Sequence, residues 1–139
     1  MLSCFKKILK NLKKTLLDKK GFSDSDGQAL KCPLHENFND AIAAKNGTPW
    51  TLDDVWSLEK KYKRKIGLIV DSTKTNRYYD WSRVVEKKCK YKKVPLEIPN
   101  DLIQMPFPII EKLVDYIDDY RTKHPDKIVA IHWFVLVLH

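Results

Sequence analysis

Residues 66–80 read Ile-Gly-Leu-Ile-Val-Asp-Ser-Thr-Lys-Thr-Asn-Arg-Tyr-Tyr-Asp. The first five are apolar without interruption, and Asp71 ends the run. A short run that does not alternate is how a strand buried on both faces reads, and such strands belong to parallel sheets covered by helices. The preceding stretch is helical in pattern: Leu52, Val55, Trp56 and Tyr62 fall at helical spacing. Thr51 stands three residues before Asp54, the spacing of a capping box, with Asp in place of the preferred Glu. Lys60, Lys61, Lys63, Arg64 and Lys65 crowd the other end, where positive charge complements the helix dipole. Working outward, Tyr91–Leu96 reads as a weaker strand with lysines on its exposed edge. Pro106 or Pro108 then opens a helix with Phe107, Ile110, Leu113, Val114, Ile117 and Tyr120 on its apolar face. Asp126–His132 is the most hydrophobic strand of the set. Residues 29–34 suit a short edge strand, with Pro33 at the rim, and 35–47 a loop holding a helical turn. Strands alternating with helices define an α/β fold. Ligands of such sheets sit beyond the carboxyl ends of the strands. Two of those ends bear polar groups, the stretch from Asp71 to Arg77 and His132.

A chain of 139 residues suffices for one domain with a core. Its 43% hydrophobic and 32% charged residues exclude a wholly disordered or membrane-embedded chain. The longest apolar stretch, Ile128 to Leu138, is interrupted by His132 and is well short of the roughly 20 residues a spanning helix needs. The net charge of +8 is uneven: residues 1–20 hold seven lysines and one aspartate. In this basic amphipathic arm Leu2, Phe5, Leu9, Leu12 and Leu16 form one stripe, which supports two readings. One is a helix docking its stripe on its own domain; the other is a helix for an anionic partner or a membrane surface. Residues 21–28, rich in Gly, Ser and Asp, read as a linker. Cys4, Cys32 and Cys89 are odd in number and widely spaced, so free thiols in a reducing, intracellular compartment are expected. His35, His124, His132 and His139 make no metal spacing, and neither metal nor cofactor is expected.

Residues 66–80 closely resemble a signature of the RNA 5′-triphosphatase branch of the cysteine-dependent phosphatases. That branch includes the triphosphatase domain of metazoan mRNA capping enzymes, the RNA/RNP-interacting phosphatase and a baculovirus RNA phosphatase. The family pattern runs hydrophobic-hydrophobic-Asp-Leu-Thr-Asn-Thr-x-Arg-Tyr-Tyr-Asp, and this chain departs from it at Ser72 and Lys74. The stretch 29–38 resembles the family's Phe-x-x-x-Lys-x-Pro-Leu segment, Trp50–Val55 its helix start, and Tyr91–Val94 its Tyr-x-Lys-Ile strand. Asp126–His132 resembles the strand that enters the active-site loop, so the resemblance spans about 29–132 in order. It implies a cysteine-phosphatase-like, largely parallel sheet flanked by helices, a nuclear location, and removal of 5′ phosphates from RNA through a phosphocysteine. The RNA 5′ end is the implied partner, and the chemistry needs no metal because Cys and Arg perform it.

The family continues His-Cys-x-x-Gly-x-Asn-Arg-Thr-Gly. There a loop at a helix N-terminus aims backbone N–H groups at phosphate, a thiolate attacks, and the Arg fork clamps the oxygens. This chain reads His132-Trp133 and continues Phe-Val-Leu-Val-Leu-His. Trp133 takes the nucleophile position, and an indole offers no nucleophilic lone pair. The expectation is therefore a partial domain over 29–132, a divergent tail over 133–139, and no intact catalytic set. A frameshift, an unspliced intron or a truncated gene copy would produce such a break. His132 and Asp71 match family active-site positions; Thr73, Lys74, Thr75, Arg77 and Tyr78 are the candidate substrate-binding residues. For Asp71 the alternative is a turn cap toward Thr73 or Thr75, and for Tyr78 and Tyr79 packing at the sheet rim. Lys87, Lys88, Lys90, Lys92 and Lys93 fit either a polyphosphate pocket or a solvated edge that blocks sheet-to-sheet pairing. Without further helices the sheet is expected to leave apolar side chains uncovered, giving a marginal, aggregation-prone domain. The runner-up is a non-enzymatic, phosphatase-like protein that binds RNA or a partner.

Overall fold

The structure, a computed structural model, describes residues 27–96 and 107–133. The arm at 1–20, most of the 21–28 linker and the tail beyond Trp133 lie outside them. In chain order the elements are β1 (Gly27–Lys31), a 3-10 turn at Glu36–Phe38, α1 (Asn39–Ala44), α2 (Leu52–Tyr62), β2 (Ile66–Asp71), α3 (Ser82–Glu86), β3 (Lys90–Lys93), α4 (Phe107–Lys123) and β4 (Ile128–Trp133). The four strands are all parallel, in the order β1-β4-β2-β3. The two continuous apolar runs are thus the two central strands, and the weaker ones are the edges. Every residue of β2 is buried, as are Ile128–His132 of β4.

Both faces are covered. Leu113, Val114, Ile117 and Tyr120 of α4 pack on Leu68, Val70, Val129 and Ile131. On the other face Leu52, Val55 and Trp56 of α2 and Val84 of α3 join Tyr78 and Tyr79 over Ile66, Ile69, Ile128 and Ala130. The expectation of an uncovered sheet is therefore corrected: α4 and the α2–α3 layer supply the two covers. Ile66 and Ile69 share a face although they are three residues apart, because the β2–β4 register shifts between Ile66 and Leu68. Gly67 sits in that irregularity. A Cβ there would run into the Tyr120 hydroxyl and lie 2.8 Å from Lys127 Cβ, so glycine is needed for close approach.

Thr51 caps α2, and its N–H donates to the Asp54 carboxylate at 2.8 Å, so Asp suffices in the capping box. At the other end Arg64 does more than complement the helix dipole. Its guanidinium donates to the carbonyls of Pro125, Asp126 and Lys127 and so ties the entry of β2 to the entry of β4. Three boundaries differ from expectation. β1 begins at Gly27, inside the stretch read as linker, because its backbone pairs with the apolar β4 whatever its own composition. The loop at 35–47 is largely helical. The strand expected over Tyr91–Leu96 is Lys90–Lys93; beyond it the Val94 and Leu96 N–H groups still donate to the carbonyls of Asp71 and Ser72. No helix among the described residues is long and apolar enough to cross a membrane.

Candidate functional site

The sheet register assembles the site. Leu30 pairs with His132, His132 with Asp71, and Asp71 with Lys93, so one row crosses all four strands at their carboxyl ends. Side chains alternate along a strand. Asp71 therefore shares its face with Ile69, His132 with Ala130, and Lys93 with Tyr91, all on the α2–α3 side.

Asp71 is 2% exposed and takes four hydrogen bonds. Thr73 donates to Oδ1 from its N–H at 2.9 Å and its hydroxyl at 2.6 Å. The Tyr91 hydroxyl donates to Oδ2 at 2.5 Å and Lys93 Nζ at 3.0 Å. Lys93 also donates to Thr73 Oγ1 and to the Thr75 carbonyl, both at 2.8 Å, so one ammonium holds the turn after β2. Tyr79 lies 2.6 Å from His132 Nε2, with the two rings edge to face.

An ionised carboxylate only accepts, so Tyr91 spends its hydrogen on Asp71. His132 Nδ1 and Ser72 Oγ are buried without a hydrogen-bond partner. Burial pushes the His132 imidazole down to about 4, with Asp71 pulling it up and Lys93 adding to the depression. His132 is thus neutral at pH 7, and its 4.0 Å separation from Asp71 is not an ion pair. Burial pushes the Asp71 carboxyl up, but the bonds from Thr73 and Tyr91, and the charge of His132 when protonated, bring it below its ordinary value. Burial raises both tyrosine hydroxyls, which remain neutral donors.

The candidate residues divide. Asp71 and His132 come together. Thr73 is buried and spent on Asp71, and Thr75 Oγ1 accepts the Arg77 N–H at 3.2 Å; both shape the turn. Lys74 and Arg77 are exposed on it. Tyr78, read as either substrate-binding or packing at the sheet rim, packs: it is 9% exposed and tilted against Phe38, with Arg77 over its ring. Lys93, on the edge strand β3, is half-buried, because the two-residue period turns it inward beside Tyr91. Lys87, Lys88, Lys90 and Lys92 stay exposed; Lys87 lies over Trp56, and Lys90 and Lys92 over Tyr116. Tyr91 was not weighed as a site residue in advance, although the Tyr-x-Lys match contains it; Tyr79 was named only with Tyr78, and Lys93 only as one of the lysine cluster. Cys32 and Cys89 are free and buried, and burial lifts each thiol to about 12, so neither supplies a thiolate. Among the described residues no group of three His, Cys, Asp or Glu side chains could hold a metal ion.

No protein-family model matches the chain. It is 30% identical over 111 residues to a tyrosine-protein phosphatase of Autographa californica nuclear polyhedrosis virus, covering 78% of this chain and 60% of that protein. It is 28% identical over 107 residues to a second viral tyrosine-protein phosphatase, from Orgyia pseudotsugata multicapsid polyhedrosis virus, covering 75% and 44%. The mRNA-capping enzyme of Caenorhabditis elegans is 26% identical over 103 residues, covering 74% of this chain and 16% of the enzyme. The chain thus spans about 60% or less of each of these relatives.

Proposed function

We propose, from the premise that this chain belongs to the baculovirus and capping-enzyme branch of the cysteine-dependent phosphatases, that it is a catalytically silent relative of an RNA 5′-phosphatase. One observation supports this reading above the others. The scaffold that leads into the phosphate loop is assembled as far as His132, with Asp71, Lys93, Tyr91 and Tyr79 all engaged, and the next residue is Trp133. In the branch the following side chain is the thiolate that attacks phosphorus. Loss of a nucleophile alone removes several orders of magnitude of rate. No other described thiol can stand in, because Cys32 and Cys89 are buried. The substrate class of the reading is RNA bearing 5′ phosphates, inherited from the lineage.

The test is phosphate release from 5′-triphosphate RNA and from a small aryl phosphate. No turnover above a no-protein control is expected. Turnover that thiol alkylation abolishes would overturn the proposal. Trp133→Cys alone should not restore activity, since residues 134–139 contain neither Gly nor Arg to cradle and clamp the phosphoryl group. A second reading, a non-enzymatic RNA-binding protein, is favoured by the exposed cluster Lys87, Lys88, Lys90 and Lys92 before and along the edge strand β3. Lysine contacts of this kind predict affinity for single-stranded RNA that falls steeply with salt.

A further inference from the structure

A pocket of about 400 Å³ opens beside the buried row, and neither Asp71, His132 nor Lys93 lines it. Tyr79 belongs to both places: it lines the pocket, and its hydroxyl meets His132. Trp81, also on the wall, stacks on Tyr91 at 5.7 Å and 23°, and Tyr91 in turn donates to Asp71. The pocket therefore touches the polar row through two tyrosines. Its walls combine aromatic surface from Trp81 and Phe38 with the exposed amides of Asn37 and Asn76. Trp81 is 45% exposed, one of few large apolar side chains so placed. Arg77 and Asp80 bring one charge of each sign. Part of the Asp80 carboxylate is spent on Ser82 at the start of α3, and its remaining negative charge disfavours phosphate.

A charge-balanced pocket with an exposed indole and two amides suits a flat, neutral, hydrogen-bonding group. Phosphates belong instead at the strand ends, one tyrosine away. We propose that this pocket is a base subsite for the 5′-terminal nucleoside of RNA, a proposal that rests on the RNA 5′-end reading above. The base stacks on Trp81, and the amides of Asn37 and Asn76 meet its edge. Such a stack is sequence-tolerant, since every base has a π face, and the amides can both donate and accept.

The experiment is calorimetric titration of the full chain, at one ionic strength, with GTP, ATP, GMP and inorganic tripolyphosphate. Any attraction of the seven lysines of residues 1–20 for phosphate is common to GTP, ATP and tripolyphosphate, so differences between these ligands report the base. GTP and ATP should bind at least about 5-fold tighter than tripolyphosphate, the lower end for one base–aromatic stack. Trp81→Ala should erase that advantage, and Trp81→Phe should keep most of it. Asn76→Ala changes an exposed loop residue and should weaken GTP and ATP without changing tripolyphosphate. Equal binding of tripolyphosphate and both nucleotides would refute the subsite, as would nucleotide affinities unmoved by both alanine variants. If GTP and GMP bind alike yet both lose affinity in Trp81→Ala, the base subsite is supported and the phosphate reading fails.

Discussion

Lowering the pH from 7.5 should weaken this fold through His132. In the unfolded chain a histidine takes its proton near pH 6.5. In the folded protein burial holds His132 near 4, against the pull of Asp71. Between those values the unfolded chain binds the extra proton, so stability falls as pH falls through the window and levels off below it. At about 1.4 kcal/mol per pH unit the loss reaches about 3 kcal/mol, a large share of a domain's usual 5–15 kcal/mol. Asp71 acts in a separate, lower window. Its carboxyl lies below the ordinary value, so its stabilisation persists above the unfolded carboxylate range and is lost only as pH falls through the folded value. Urea unfolding at pH 7.5, 6.0, 5.0 and 4.5 should show the midpoint dropping by about 1–2 M across the series. His132→Gln keeps a polar partner for Tyr79 and removes the titration, so most of that drop should vanish. Equal slopes in the wild type and His132→Gln would refute the reasoning, as would a flat wild-type profile from pH 7.5 to 4.5.

Two further variants follow from the same packing. Lys93→Met leaves the Asp71 charge buried with only Thr73 and Tyr91 as donors and should cost about 2–3 kcal/mol at pH 7, below the 3–5 expected for an otherwise unpartnered charge. That deficit should shrink as pH falls through the lowered Asp71 range, which thermal melts over a descending acid series can check. Gly67→Ala forces a methyl against the Tyr120 hydroxyl and Lys127 and should cost about 1–3 kcal/mol. Gly67→Ala with Tyr120→Phe should recover part of it by removing the clashing oxygen.

The central strands were legible because burial on both faces demands apolar side chains at every position, and few other structures produce Ile66–Val70 or Ile128–Ile131. The α4 stripe was legible for the same reason at helical period: Leu113, Val114, Ile117 and Tyr120 are the residues that cover the sheet. Edges were less so. β1 begins on Gly27, whose strand conformation comes from pairing with β4, a long-range hydrogen-bond partnership that leaves no local mark. The family resemblance located Asp71 and His132, and the same resemblance set Trp133 at the position where the family carries its thiol. What the amino acids in order did not disclose was the partnership among them. Lys93 looked like one more lysine on a basic edge until the register set it opposite Asp71 and the pleat turned it inward. Tyr78 and Tyr79 are neighbours in sequence, yet one packs into the core while the other also bonds His132. Hydrophobic periodicity is a property of single elements and can be read one element at a time. A buried polar row exists only where four strands fix their register at once, so the tertiary structure decided it.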